Sequence, residues 1–120
     1  MNILPGRVAF SDRGPIVEFD GGAVQLSHLP AVGTAVDIGL RPEHLTPCNE
    51  AEADLLVEVD VLEELGSDTL AICLLGQREL TVRVPADRAG ALDRRQPLRF
   101  DRRNLHLFDG QSGQRINFDA

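Results

Sequence analysis

The sequence predicts an all-β fold, and three features of its 120 residues lead to this prediction. Apolar and polar side chains alternate along most of the chain, which is typical of strands with one buried face. Short turns rich in glycine separate the alternating runs, as in small β-barrels and sandwiches. Hydrophobic residues make up 42% of the chain, which is enough for the core of a single small domain.

The alternating runs are taken here in chain order. They cover residues 17–19, 24–26, 36–40, 55–62, 70–74, 80–84, 98–100 and 105–107. Turn residues lie between them at 11–14, 20–22, 66–68, 76–77 and 109–113. We expect Gly14 to adopt a positive φ in the first of these turns. Helix is predicted only after Pro85, where residues 86–92 suit one or two turns.

The two halves of the sequence resemble each other, with a hairpin, two strands and an Arg-containing corner in each. This similarity predicts a single domain, residues 1–120, built from two related β units that share a core. The first unit covers about residues 1–46 and the second about residues 55–120. The polar, acidic segment at about 47–54 is interpreted as a linker between them.

The composition excludes several classes of function. All 12 basic residues are arginine, against 19 acidic residues, so the net charge is −7. Without lysine the chain has no Walker-type phosphate loop, and it cannot form a Schiff base with a substrate or with pyridoxal phosphate. The negative charge and the five phenylalanines, without Trp or Tyr, disfavour nucleic-acid binding.

Neither a metal site nor a cofactor is predicted. Cys48 and Cys73 do not form a CxxC pair, and the three histidines lack the spacing of metal ligands. Two isolated cysteines fit a reduced, cytosolic chain. The chain contains neither an apolar run long enough to span a membrane nor a signal peptide, so we expect a cytoplasmic protein without direct membrane insertion.

No set of residues suits catalysis, so the chain is predicted not to be an enzyme. The adjacent Glu63 and Glu64 are expected to be solvated, and no serine lies in a G-x-S-x-G turn. Two arginine doublets, 94–95 and 102–103, have two interpretations. They bind a phosphate or an acidic partner, or they protect a charged sheet edge from aggregation.

The segment 38–45, IGLRPEHL, is the most distinctive one. Pro42 has no N–H, so strand pairing must stop there or lie at an edge. Arg41 and Glu43 then project from a rigid corner, followed by His44. Two interpretations stay open: these charges face another surface of an assembly, or Arg41 forms an internal ion pair that fixes the corner.

This segment resembles the "GIRPEHL" signature of a known family, the C-terminal regulatory domain of ATPase subunits from carbohydrate-importing ABC transporters of the maltose and glycerol-3-phosphate type. Three other stretches match in the same order. Residues 1–5 resemble the "MNFLP"-like entry to that domain, and residues 61–69, which include Glu63 and Gly66, resemble the "VVExLGxET" turn. Residues 106–109 with Gly113 resemble the closing "HLFDxxTG".

The resemblance implies an OB-like β-barrel of the TOBE (MOP-like) type that does no chemistry itself. It implies a regulatory and dimerisation domain whose nucleotide-binding domain is absent from this chain. The implied partners are a second copy, the nucleotide-binding domain and membrane subunits of a sugar or related solute importer, and regulatory proteins. The implied location is the inner face of the cell membrane. The candidate interface residues are Arg41, Pro42, Glu43, His44, Glu63 and Gly66.

Two other functions compete with this one. Molybdate-binding domains share the TOBE fold, so the chain is alternatively a small oxyanion-binding module that uses Gly66, Ser67 and Thr69, although it lacks lysine. The other alternative is an OB-fold nucleic-acid binder, which the charge and the lack of aromatic residues oppose.

Overall fold

A computed structural model describes residues 1–29 and 34–118. The all-β prediction is confirmed, because strands dominate these ranges and every helix in them is a short 3₁₀ helix. The strands are β1 Asn2–Ser11, β2 Gly14–Phe19, β3 Gly22–Gln25, β4 Ala35–Leu40, β5 Thr46–Pro47, β6 Leu55–Glu64, β7 Asp68–Leu75, β8 Arg78–Pro85, β9 Arg95–Arg99, β10 His106–Asp109 and β11 Arg115–Ile116. The 3₁₀ helices are Pro42–His44, Glu50–Glu52, Ala86–Ala91 and Arg102–Asn104.

The strands form two compact units, of which unit 1 consists of Met1–Leu40 and Asp101–Ala120. Its antiparallel sheet has the order β11-β10-β4-β1-β2-β3. The pairing places Val8 opposite Val17 and Leu107 opposite Ile38. Because every second side chain points to the same face, one face of the sheet is apolar. Its buried side chains are Leu4, Val17, Val24, Leu26, Val36, Ile38, Leu40, Leu105, Leu107 and Ile116.

Unit 2 consists of Arg41–Phe100 and contains the antiparallel sheet β5-β9-β6-β7-β8. The register of β6 against β7 shifts between Val59 and Val61, as at a β-bulge. The strict alternation of buried residues along β7 reproduces the period of two in the sequence. The buried side chains of this unit include Leu45, Leu55, Val57, Cys73, Leu75, Leu80, Val82, Val84, Leu98 and Phe100.

Five strands follow the same order in both sheets, β10-β4-β1-β2-β3 in unit 1 and β5-β9-β6-β7-β8 in unit 2, and unit 1 adds β11 beside β10. The first strand of each set comes from the other half of the sequence. In unit 1, β10 pairs with β4, and in unit 2, β5 pairs with β9. The units expected from the sequence, 1–46 and 55–120, are each continuous. In the structure unit 2 is continuous from Arg41 to Phe100, whereas unit 1 combines Met1–Leu40 with Asp101–Ala120. Leu45 and Leu105, both buried, hold equivalent places just before the exchanged strands.

The predicted turns and the acidic segment are well defined. Each of the five predicted turns contains a glycine with positive φ: Gly14, Gly21, Gly66, Gly76 and Gly113. The segment 47–54, predicted as a linker, is tied to unit 2. Asn49 Oδ1 accepts a hydrogen bond from Glu52 N at 3.1 Å, and Asp54 Oδ2 accepts one from Phe100 N at 2.9 Å.

Candidate functional site

The corner after β4 is the first part of the candidate site. The 3₁₀ helix Pro42–His44 places proline at its first turn, where its missing N–H removes no hydrogen bond. His44 N donates to Arg41 O at 2.9 Å, which closes the turn. Leu45 is 1% exposed and anchors the corner, while Arg41 and Glu43 are exposed. The corner therefore holds two charged side chains on a rigid, anchored turn.

The charges at this corner are unpaired within the described ranges. Neither Arg41 nor Glu43 forms an ion pair with any residue described there. The equivalent 3₁₀ helix Arg102–Asn104 differs, because Arg103 Nη2 lies 2.7 Å from Asp101 Oδ2. Of the two interpretations of the corner, the internal ion pair is thus not observed in this part of the chain.

A shallow groove of about 270 Å³ lies beside the corner. Its charged lining residues are Glu43, Arg83 and Arg88. Thr46 and six apolar residues complete its lining: Leu45, Pro47, Val84, Pro85, Ala91 and Leu92. An apolar lining between charges of opposite sign suits a protein or peptide surface more than a small charged metabolite.

The β6–β7 turn contacts Arg83, one of the residues that line this groove. Arg83 Nε lies 2.8 Å from Asp68 Oδ2, and Ala86 N donates to Ser67 O at 3.0 Å. Leu65 N donates to Asp68 O at 2.8 Å and closes the turn around Gly66, whose φ is 93°. We call residues 41–47, 63–68 and 83–92 together the corner face, because these bonds and the shared groove join them within unit 2.

The structure separates the predicted site residues into two groups on this face. Glu43 lines the groove, with Arg41, Pro42 and His44 in the adjoining turn. Glu63 and Gly66 lie at the end of the hairpin and do not line it. Sequence reasoning missed Arg83 and Arg88, which also line the groove. A period-two pattern does not indicate which distant segments of the chain lie beside the corner.

The hairpin end also exposes apolar side chains. Val61, Leu62 and Leu65 are 48%, 47% and 50% exposed. Acidic Asp60, Glu63 and Glu64 lie beside them in the sequence. Exposed apolar side chains grouped in this way are a common feature of contact surfaces.

The geometry of the β6–β7 turn does not support the alternative function, a small oxyanion-binding module. Thr69 is 2% exposed, so its hydroxyl is not offered to a surface ligand. The backbone oxygen of Ser67 accepts the hydrogen bond from Ala86 N. Of the three proposed ligand residues, Gly66 and Ser67 are exposed and Thr69 is buried.

His44 and Cys73 each carry a buried polar or ionisable group. His44 Nδ1 is buried without a hydrogen-bond partner among the described residues. Burial raises the pKa of the Cys73 thiol to about 11. Within residues 1–29 and 34–118, no group of three His, Cys, Asp or Glu side chains is arranged to hold a metal ion. None of the helices in those ranges has the length and apolarity that crossing a bilayer requires.

Comparison with known proteins supplies the context for this surface. A family model described as the TOBE domain matches residues 38–108, which include the corner and the whole of β6–β9. The chain is 35% identical over 119 residues to the sn-glycerol-3-phosphate import ATP-binding protein UgpC of Escherichia coli O6:K15:H31 (strain 536 / UPEC). It is 36% identical to that of Escherichia coli O157:H7 and 35% identical to that of strain K12.

Each of these alignments covers 97% of this chain but only 33% of the relative. The chain therefore spans about a third of the length of the curated relatives that it matches. The alignments extend the similarity beyond residues 38–108 to nearly all of both units. The resemblance found in the four sequence motifs is confirmed by these matches.

Proposed function

Because this chain belongs to the TOBE domain family, we propose that it is the regulatory and dimerisation domain of an ATP-binding subunit in an ABC-type solute importer. The observation that carries the proposal is the 35% identity to an import ATP-binding protein over 97% of this chain. The imported solute is a sugar or a related compound, as in the glycerol-3-phosphate importers. The subunit works on the cytoplasmic side of the membrane, beside the transporter's membrane subunits.

In this role the chain does no chemistry. ATP hydrolysis needs a phosphate loop with lysine, and the chain contains no lysine. The catalytic groups belong to a nucleotide-binding domain elsewhere in the subunit. This domain acts mechanically: it holds two subunits together while their nucleotide-binding domains open and close, and it offers a surface to regulatory proteins.

The corner face is the proposed contact surface, and a second copy is its proposed occupant. A contact with two-fold symmetry must be complementary to itself. The groove meets this condition, because its lining contains both an acidic residue, Glu43, and a basic residue, Arg88. In a symmetric pair, Glu43 of each copy faces Arg88 of the other, and the apolar lining between them is buried. The exposed Arg41 adds to this contact from the adjoining turn.

Preorganisation favours a contact at this corner. Pro42 fixes the backbone, and buried Leu45 fixes the end of the turn. Charged side chains held on a rigid turn lose less conformational entropy on binding than mobile ones. If the twin does not occupy this face, a nucleotide-binding domain is the other candidate, and the experiments below separate the two.

A chimera tests the proposed role. The matching third of the K12 glycerol-3-phosphate import ATP-binding protein is replaced by this chain, and ATP-dependent uptake is measured in cells that lack the native subunit. We expect uptake well above that of the subunit with the matching third deleted. A chimera that folds and hydrolyses ATP, yet supports no more uptake than the deletion, contradicts the proposal.

A charge exchange tests the contact itself. We expect Glu43→Arg or Arg88→Glu alone to weaken dimerisation of the chain in sedimentation, because each places like charges together. The double variant should restore it, since the pair is re-formed with reversed signs. Arg78→Glu, an exposed change in β8 away from the groove, serves as the matched control. A double variant no better than either single variant contradicts the twin contact and favours the nucleotide-binding domain.

Stability measurements show whether the corner charges act inside the fold. We expect Arg41→Ala and Glu43→Ala to leave the free energy of unfolding within about 0.5 kcal/mol, as for ordinary surface changes. A buried internal ion pair would instead cost about 3–5 kcal/mol when broken. Denaturant melts of the two variants distinguish these results.

A further inference from the structure

A second pocket, in unit 1, collects three arginines and is independent of the corner face. Arg102 and Arg103 of the last 3₁₀ helix and Arg115 of β11 line a surface pocket of about 300 Å³. The buried side chains Leu105 and Ile116 form its apolar part, with Phe118 beside them. None of the residues that line it is acidic. We call this set the arginine pocket.

The lining of this pocket is positively charged, although the chain as a whole is negatively charged. The chain has a net charge of −7, yet three of its 12 basic residues line this pocket. One arginine of each doublet has a carboxylate partner: Arg94 lies 3.4 Å from Glu58, and Arg103 lies 2.7 Å from Asp101. Guanidinium groups of like charge repel one another, and an anion between them removes that repulsion.

Two of the three guanidinium groups are held in position by neighbours. Arg103 Nη2 lies 2.7 Å from Asp101 Oδ2, and its Nε contacts both carboxylate oxygens at 3.1 Å. Arg115 Nη2 lies 3.0 Å from His106 Nδ1, which places the ring proton on Nε2 if Arg115 donates. Arg102 forms no ion pair with the residues described in either unit. The pocket thus presents oriented guanidinium groups, and Arg103 is partly neutralised by Asp101.

We propose that the arginine pocket binds a small phosphate monoester. The phosphate dianion lies between Arg102 and Arg115, because the guanidinium fork matches the spacing of phosphate oxygens. The organic part of the ligand lies on Leu105, Ile116 and Phe118. A volume of about 300 Å³ is at the small end of ligand sites, which restricts the ligand to a small molecule.

Titration of the full chain with phenyl phosphate, followed by backbone amide NMR, tests this site. We expect saturable shifts centred on Leu105, Ile116 and Phe118, and tighter binding than of inorganic phosphate at matched ionic strength. Arg102→Ala and Arg115→Ala should each weaken binding about tenfold, the loss expected for one charge-assisted contact. Arg78→Ala, an equal loss of charge on unit 2, should change the affinity by less than about twofold.

Two further variants distinguish a change in binding from a folding defect. Asp101→Asn retains a side-chain oxygen for the 3₁₀ cap but releases Arg103, so we expect phenyl phosphate to bind several-fold more tightly. Arg115→Lys keeps the charge and the fold but loses the fork, so we expect binding between that of the native chain and Arg115→Ala.

Three results would overturn the proposal. One is the absence of saturation at millimolar phenyl phosphate. Another is equal binding of inorganic phosphate and phenyl phosphate, which would leave no role for the apolar part of the pocket. The third is tighter binding of a single-stranded oligonucleotide, with shifts at the same residues, which would assign the pocket to nucleic acid.

Discussion

At the scale of single residues, the two 3₁₀ corners show how one side chain decides whether neighbouring charges pair. Asp101 precedes the helix Arg102–Asn104, and its carboxylate accepts the hydrogen bond of Arg103 N at 2.9 Å. This capping role holds the carboxylate where the Arg103 guanidinium reaches it, and that partner lowers the pKa of Asp101 to about 2. Arg41 occupies the equivalent place before Pro42–His44, but an arginine cannot accept a hydrogen bond.

The consequence is a difference in availability between the two corners. In the second corner, the acidic cap and the arginine two residues later bind each other. In the first corner, the signs are reversed, the cap is lost, and Arg41 and Glu43 stay exposed. Free charges on a rigid turn are available to another molecule, which is why the proposed contact lies at the first corner.

The two cysteines should differ in reactivity for reasons visible at this scale. Cys73 is buried in β7, and burial raises its pKa to about 11, whereas Cys48 is half-buried and its pKa is raised less strongly, first by burial and then by Glu52. The thiolate is the reactive form, so a raised pKa slows alkylation at pH 8. We expect iodoacetamide to modify Cys48 slowly and Cys73 only after unfolding.

Mass spectrometry of the native and the urea-unfolded chain checks this prediction. One added group in the native state and two in the unfolded state agree with it. Equal rates of modification at Cys48 and Cys73 in the native chain would contradict the buried position of β7's thiol. Cys48→Ser supplies a chain in which only the buried thiol is left to react.

At the scale of elements, the β6–β7 hairpin combines a rigid turn with an exposed tip. Gly66 has a φ of 93°, a conformation that other residues adopt only with strain. The register shift between Val59 and Val61 lies a few residues before the tip. A β-bulge increases the local twist of its strand and changes the direction of the side chains that follow it. Both features keep Val61, Leu62 and Leu65 at the surface instead of in the core.

A pair of glycine substitutions tests the conformation of the turn. Gly66 and Gly90 both have open space where a Cβ would lie, but only Gly66 has a positive φ. We therefore expect Gly66→Ala to lower the free energy of unfolding by about 1 kcal/mol or more. Gly90→Ala should be neutral, or should raise it by about 0.4–1 kcal/mol, by restricting the unfolded chain.

Denaturant melts measure both variants against the native chain. Because neither added methyl group meets an atom within 4 Å, steric clash does not contribute to the difference. Equal effects of the two substitutions would show that the turn at Gly66 is not held in the positive-φ conformation in solution.

At the scale of the whole molecule, the exchange of β5 and β10 makes each unit depend on both halves of the chain. Unit 1 needs residues after Asp101, and unit 2 needs the segment directly after β4. Contacts between distant parts of the sequence follow from this arrangement, and such contacts slow folding because loops must close before they form. The net charge of −7 acts at the same scale, since it opposes association of two copies.

We expect added salt to tighten the proposed dimer. Repulsion between two chains of charge −7 acts over long distances and is screened at ionic strengths near 0.15 M, where the Debye length is about 8 Å. Close, partly buried pairs such as Glu43 with Arg88 are screened less. Sedimentation across a salt series measures this dependence. A chain that stays monomeric at millimolar concentration and high salt would contradict the dimer.

The sequence alone determined the local structure. Alternation in 36–40 and 70–74 predicted β4 and β7, because a period of two is a property of a single strand. The turns were predicted in the same way, and the positive φ expected for Gly14 is confirmed, because a short turn between two strands demands a conformation that glycine adopts readily. The order of four motifs also predicted the family, which the TOBE domain match confirms.

Only the tertiary structure decided which distant segments meet. In the structure Leu105 is the equivalent of Leu45, because each follows a 3₁₀ helix and precedes an exchanged strand; the similarity of the two halves did not establish this correspondence. Three features depend on contacts between segments far apart in the chain. They are the strand exchange, the groove lined by Arg83 and Arg88, and the pocket lined by Arg102 and Arg115. The alternation of apolar and polar residues specifies which face of a strand is buried. Packing of the whole core selects the neighbouring segment that covers this face.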